Sequence, residues 1–265
     1  MKDDASRRTD TLTRIAEVLG PMYGSERLAP FLYAHLRMRA PRTVVELGTG
    51  VGVSSFWMAK ALEDNGHGHL WTIDSFDALR DPVELRALRD LLGACGLTDV
   101  VGADAPALLR EVAERLGLSS RMSIIPSRLN LDQDGHFARY DFSSKTLDFV
   151  FSDFLHGPDH IERILGHFLP RMSDAAAILI DSVASEVASY LAVERFVADL
   201  NSGRTPPSLS RGWLPGDHDA VSARTYRLLH LRDQTGGPQR TTTWIDIEPR
   251  RPWPSDAALG DHLPR

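Results

Sequence analysis

The sequence predicts an α/β protein: a doubly wound, mostly parallel sheet of seven strands, with an antiparallel hairpin at its C-terminal edge and extra helices at the N-terminus. Three observations carry this expectation. From residue 41 onward, short apolar runs alternate with amphipathic stretches of helical period. Those runs are continuous rather than alternating, as strands covered on both faces require. The last two β-rich runs follow one another with no helix between them, which demands an antiparallel turn-back.

Taken in order, "DTLTRIAEVLG" (10–20) and "SERLAPFLYAHLRM" (25–38) read as amphipathic helices, the second interrupted near Pro30. "RTVVELG" is a short strand, followed by the helix "VSSFWMAKALEDNG", which closes at Gly66. "GHLWTIDSF" is a second strand ending at Asp74. Two helical patterns follow, "DPVELRALRDLLGACGL" and "DAPALLREVAERLGL", before the third strand, "RMSIIPS". "KTLDFVFSD" and "AAAILIDSV" are the fourth and fifth strands, with the helices "PDHIERILGHFLPRM" and "SEVASYLAVERFVADLNSG" after them. "ARTYRLLHLRD" and "TTTWIDIE" are the closing strands, joined by "QTGGPQ" as a hairpin turn. The expected organisation is a helical segment at 1–40 packed on a core domain at 41–250, then a Pro-rich tail at 251–265.

Composition narrows the function classes. The chain has 265 residues and a formal net charge of −6, so it offers no overall basic footprint for nucleic acid. A single cysteine, Cys95, excludes an intrachain disulfide, fits a reducing compartment and reads as a small buried hydrophobe. No apolar run reaches the ~20 residues of a membrane span. The start "MKDDASRRTD" lacks the apolar centre of a signal peptide, so a cytoplasmic location is expected.

In a sheet of this kind ligands bind outside the carboxyl ends of the strands. Those ends carry Glu46, Asp74, Asp153 and Asp181, which should converge. "ELGTGVG" places Gly48, Gly50 and Gly52 at every second position after Glu46. Glycines there let the backbone approach a ligand, and the next helix offers free N–H groups. The spacing is not the G-x-G-x-x-G of a dinucleotide site, and an acid beside the turn suits a cationic or zwitterionic ligand better than a pyrophosphate.

"VVELGTGVGVSS" resembles the first motif of class I S-adenosylmethionine-dependent methyltransferases, and the resemblance covers roughly residues 22–250. It implies a Rossmann-like fold and S-adenosyl-L-methionine as cofactor, held by Gly48, Thr49, Gly50 and Ser54, with Glu46 supporting that loop or meeting the cofactor's ammonium group. Asp74 and Ser75 would lie at the ribose, Ser127 beside the adenine, and Asp153 against the cofactor's amino acid head. A carboxylate ending the second strand could equally serve NAD or cap the next helix, so Asp74 alone does not separate these readings.

"LDFVFSDFLHGPDH" and "AAAILIDSV" are similar to the catechol O-methyltransferase branch and its bacterial small-molecule relatives. That resemblance implies a Mg²⁺ site at Asp153 and Asp181, with Ser182 where the branch carries another acid or an amide. Without a metal, Asp153 would contact the cofactor amine and Asp181 would cap the next helix. His156 stands three residues after Asp153, where the branch has a lysine base, and an imidazole suits general-base work near neutral pH. His160 is a second candidate that could orient substrate, and His167 is expected at the surface. The segments 81–95 and 204–220 are expected to act as a roof, a lid or contacts in a homodimer. The implied activity is O-methylation of a small molecule of phenolic or natural-product type, with no nucleic-acid or membrane partner. N-methylation, or a non-methylating use of the same cofactor, stays open; the glycine spacing counts against a nicotinamide-dependent oxidoreductase.

Overall fold

The computed structural model describes residues 4–23, 27–131, 136–232 and 241–250. Two helices open the chain, α1 (Asp4–Tyr23) and α2 (Leu28–Arg39). α1 runs further at both ends than its apolar periodicity alone suggests, whereas α2 begins three residues later than the sequence reading has it and ends one residue later. Pro30 does not interrupt α2, because it lies in the first turn, where a backbone N–H has no intrahelical acceptor to lose.

The sheet consists of β1 (Thr43–Leu47), β2 (His69–Asp74), β3 (Met122–Pro126), β4 (Leu147–Ser152), β5 (Met172–Asp181), β6 (Arg224–Arg232) and β7 (Thr241–Pro249). The order across it is β3-β2-β1-β4-β5-β7-β6, with β1 to β5 parallel and the last two strands antiparallel. β7 therefore inserts between β5 and β6, so that β6 alone forms that edge. The "QTGGPQ" turn and the residues 251–265 lie outside the described residues.

Connecting helices are α3 (Val53–Asn65), α4 (Pro82–Ala94), α5 (Ala105–Arg115), α6 (Pro158–Phe168), α7 (Val187–Asn201) and a short α8 (Asp217–Ser222) inside the expected loop at 204–220. Their apolar faces make two cores. Leu12, Leu32, Phe56 and Leu108 from α1, α2, α3 and α5 pack on one side of the sheet. Phe168, Val193 and Tyr226 from α6, α7 and β6 pack on the other. In α6 the buried residues Ile161, Ile164, Leu165 and Phe168 fall at helical spacing, and each buried side chain of this size contributes about 1.5–3 kcal/mol. Cys95 is 1% exposed, inside the first core. Among the described residues no helix is long and apolar enough to cross a membrane.

β1 pairs with β2 on one side and β4 on the other, so the strand order reverses at β1. The crevice at its carboxyl end is the place this topology reserves for a ligand.

Candidate active site

The acid before the glycine turn faces inward. Glu46 is fully buried, and its carboxylate accepts hydrogen bonds from Ser54 Oγ at 2.5 Å and from Ser55 Oγ. Both serines stand in the first turn of α3, so Glu46 ties the end of β1 to the helix start. Burial lifts its pKa to about 7, against the donation of Ser54, Ser55 and Thr72. Ser54 also lines the cavity, but its hydroxyl is committed to Glu46.

The cavity itself, about 160 Å³, is bounded by Gly48, Thr49, Gly50, Ser54, Asp74 and Asp153. Gly48 has φ +94°, and a Cβ there would meet the Asp153 carbonyl oxygen at 2.1 Å. Gly50, at φ +51°, has no heavy atom within 4 Å of its Cβ position, so the backbone there is open to a ligand. Thr49 is buried and shares a 2.6 Å hydroxyl contact with Thr72. Asp74 accepts from the N–H of Gly50 at 2.9 Å and of Phe76 at 2.7 Å. A carboxylate has about four lone-pair sites, so room remains for two ligand hydroxyls. The open glycine cradle, the half-used Asp74 and the acidic wall at Asp153 fit a ribose linked to a cationic amino acid.

Ser127 directly follows β3. Its hydroxyl accepts from Arg139 Nη2 at 2.8 Å and Tyr140 Oη at 3.0 Å, and its N–H donates to the Asp74 carbonyl at 2.7 Å. It therefore braces the β2 and β3 ends against one another. Arg139, Tyr140 and Thr72 escaped the sequence reading, because nothing local links them to the strand ends. Ser75 uses its hydroxyl to accept from the Asp77 N–H at 3.3 Å.

Asp153 and Asp181 converge as expected. Asp153 is lifted to about 7 by burial first, then by the charges of Asp181, Glu46 and Asp74. Burial also raises Asp181, opposed by the hydroxyls of Ser182 and Thr242 and by the nearby His156. His156 follows β4, and its carbonyl accepts from Ser189 Oγ of α7 at 2.6 Å, which fixes the loop. Its Nδ1 is buried, with no hydrogen-bond partner among the described residues. His160 Nδ1 lies 3.2 Å from the Cβ position of Gly157, back against its own loop. His167, expected at the surface, is half-buried, with Nε2 3.2 Å from the Leu131 carbonyl and its ring against Phe137.

Asp181 accepts from Ser182 Oγ at 2.6 Å and from Thr242 Oγ1 at 3.1 Å, which leaves lone pairs on its carboxylate for a further partner. Among the described residues no group of three or more His, Cys, Asp or Glu is placed to hold a metal ion. Mg²⁺ needs several open oxygen ligands in a near-octahedron. Ser182 sits at φ 58°, a left-handed conformation uncommon outside glycine, which turns it towards Asp181.

The raised carboxyls carry a stability consequence. Folded Glu46 and Asp153 keep protons up to about 7 that the unfolded chain releases near 4.5 and 3.8. The folded state binds more protons across that window, so the stabilisation is complete below the lower values and is lost as pH rises towards 7. In the ligand-free protein, Asp153→Asn should make the unfolding free energy fall less between about pH 4 and about pH 7. Urea titrations in which variant and wild type fall in parallel would rule this out.

The strand order, the glycine turn after β1 and the acids ending β2 and β4 define a class I S-adenosylmethionine-dependent methyltransferase fold. The chain belongs to the methyltransferase domain family, which it matches over residues 45–183. It is similar in fold to the O-methyltransferase TomG from Streptomyces achromogenes, involved in tomaymycin synthesis and solved with SAM: 19% identity, 94% of this chain and 91% of that one covered, TM-score 0.50. It is also similar to the O-methyltransferase from Bacillus cereus in complex with SAH: 16% identity, 94% and 92% covered, TM-score 0.53. No curated protein matches the chain.

Proposed function

We propose that the protein methylates a hydroxyl oxygen of a small molecule of phenolic or natural-product type, using S-adenosyl-L-methionine. The observation that carries the reading is the juxtaposition of the cavity at the glycine turn, bounded by Asp153, with an imidazole three residues further along the same loop whose Nδ1 has no partner among the described residues. Bound in that cavity, S-adenosylmethionine would supply a methyl group activated by its sulfonium charge. Asp74 would hold the ribose hydroxyls, and the glycine turn would let backbone N–H groups meet the amino acid head. Asp153 would ionise against the cationic ligand. His156 takes the substrate's hydroxyl proton at Nδ1, and the neighbouring Asp181 stabilises the imidazolium that results. The O-methyltransferases of similar fold support oxygen over nitrogen as the acceptor.

No step is routed through a metal. The test is a methyl-transfer assay over a panel of phenols with radiolabelled S-adenosylmethionine, run with and without EDTA. Turnover should appear and persist in chelator. Loss in EDTA with recovery on adding Mg²⁺ would restore a metal at Asp153 and Asp181. Calorimetry that finds tight NAD binding and no affinity for S-adenosylhomocysteine would overturn the whole reading.

A further inference from the structure

A cavity of about 280 Å³ lies along the outer face of α6 and shares no lining residue with the cavity at the glycine turn. Asp159, Glu162, Arg163 and Gly166 form its floor. They alternate with the buried Ile161, Ile164 and Leu165, so they occupy the side of the helix turned away from the core. Ser208, Leu209 and Arg211, from the loop after α7, form the opposite wall. That wall is fixed in place. Leu209 is fully buried, and its carbonyl oxygen would stand 2.7 Å from a Cβ at residue 166, so glycine there lets the loop settle on the helix. Trp213 Nε1 donates to the Gly166 carbonyl at 2.8 Å and pins the loop from its far end.

Charges of both signs line this cavity, and they are unevenly engaged. Arg163 already has a partner. Asp159, Glu162 and Arg211 make no hydrogen bond or ion pair among the described residues. Asp159 and Arg211 are exposed, so water can satisfy them. Glu162 is half-buried, and its Oε1 is shut off from solvent with no donor among the described residues. A carboxylate held this way is neither fully hydrated nor paired, which proteins seldom leave uncompensated. A cation in the cavity beside it would supply the missing charge.

The unengaged groups define the ligand by complement. Two carboxylates and one guanidinium call for two cationic groups and one carboxylate on a single small molecule. A simple anion would meet two carboxylates, and a simple diamine would leave Arg211 unmatched. A guanidinium presents its donors as a planar fork that suits carboxylates in pairs of hydrogen bonds. We infer that this cavity binds a basic amino acid of the arginine type, with its cationic groups at Glu162 and Asp159 and its carboxylate at Arg211. Binding here requires nothing of methyl transfer at the glycine turn.

The test titrates the purified full-length protein with L-arginine by calorimetry at constant ionic strength. Agmatine, which lacks the carboxylate, and L-norvaline, which lacks the guanidinium, are the controls. Saturable binding of arginine is expected, with each control weaker by about tenfold or more, since each loses a charge-assisted contact. Glu162→Gln keeps the shape of the side chain, removes its charge and should weaken arginine binding by about tenfold or more. Arg211 is exposed, so Arg211→Ala keeps the fold, should weaken binding similarly and decides the matter if Glu162→Gln melts early. Arginine carries the same amino acid head as the proposed cofactor, so the titration is repeated in saturating S-adenosylhomocysteine, where binding should survive. An absence of saturable binding, a control that matches arginine, an affinity unchanged in either folded variant, or displacement by S-adenosylhomocysteine would each overturn the proposal. A protein that binds arginine as described yet shows no affinity for S-adenosylhomocysteine would overturn the methyltransferase reading and leave this site standing.

Discussion

His156→Ala should lower kcat for methyl transfer by about 10²–10⁴, the usual worth of a positioned general base. A hydroxyl is a poor nucleophile until its proton leaves. His156 lies near enough to Asp181 to feel its charge, and its Nδ1 has no hydrogen-bond partner among the described residues. Affinity for S-adenosylmethionine should change much less, because His156 is absent from the walls of the cofactor cavity. The loop should survive truncation, since Ser189 bonds the backbone carbonyl of residue 156 and not its ring. For an acidic phenol the drop shrinks, because less of the barrier lies in proton removal. Wild-type turnover in the alanine variant would remove His156 from the mechanism and direct attention to His160.

The second large effect is structural. Gly48→Ala should destabilise the protein by about 3 kcal/mol or more and weaken cofactor binding with it. A left-handed residue other than glycine costs about 1–2 kcal/mol, and overpacking a rigid site adds about 1–3. Nothing near Gly48 can give way. The clash is with the Asp153 backbone carbonyl at 2.1 Å, and the Asp153 N–H is itself bonded to the Leu47 carbonyl at 2.9 Å. The N–H of Gly48 is held by the Ile73 carbonyl at 2.9 Å, so three strand ends meet there. Gly50→Ala is the control: it has the same sign of φ but open space around its Cβ position, and should cost about 1–2 kcal/mol. Equal unfolding free energies for the two variants in urea would show that the clash relaxes and that only the φ cost is real.

Much of this was legible in the order of residues. Continuous apolar runs such as "TVVEL" and "LDFVFS" need cover on both faces, and helical stretches between them supply it. Gly66 closes α3 at φ 74°, as its place after a periodic run implies. The convergence of Glu46, Asp74, Asp153 and Asp181 follows from parallel strands that all end on the same edge. Other features had no local signal. "TTTWIDIE" reads like any closing strand, yet β7 lies inside the sheet and buries Thr243, Ile245 and Ile247, while β6 takes the edge. The charged cavity along α6 was equally silent, because Asp159, Glu162 and Arg163 read as the solvated face of an amphipathic helix until the loop after α7 closes against them.

By itself, then, the sequence determined which residues form strands and helices, which edge carries the acids and which turn must be glycine. These depend on hydrophobic period, backbone conformation and chain direction, all of which are local. What each acid does was decided only by the tertiary structure. Glu46 and Asp74 stand near the ends of neighbouring strands, Glu46 in register with Thr72, two residues short of Asp74. Ser54 and Ser55 fold back to consume the carboxylate of Glu46, whereas Asp74 accepts only two backbone N–H groups and keeps lone pairs for a ligand. The role of a carboxylate is set by which donors reach it, and those donors come from elements that only packing brings together.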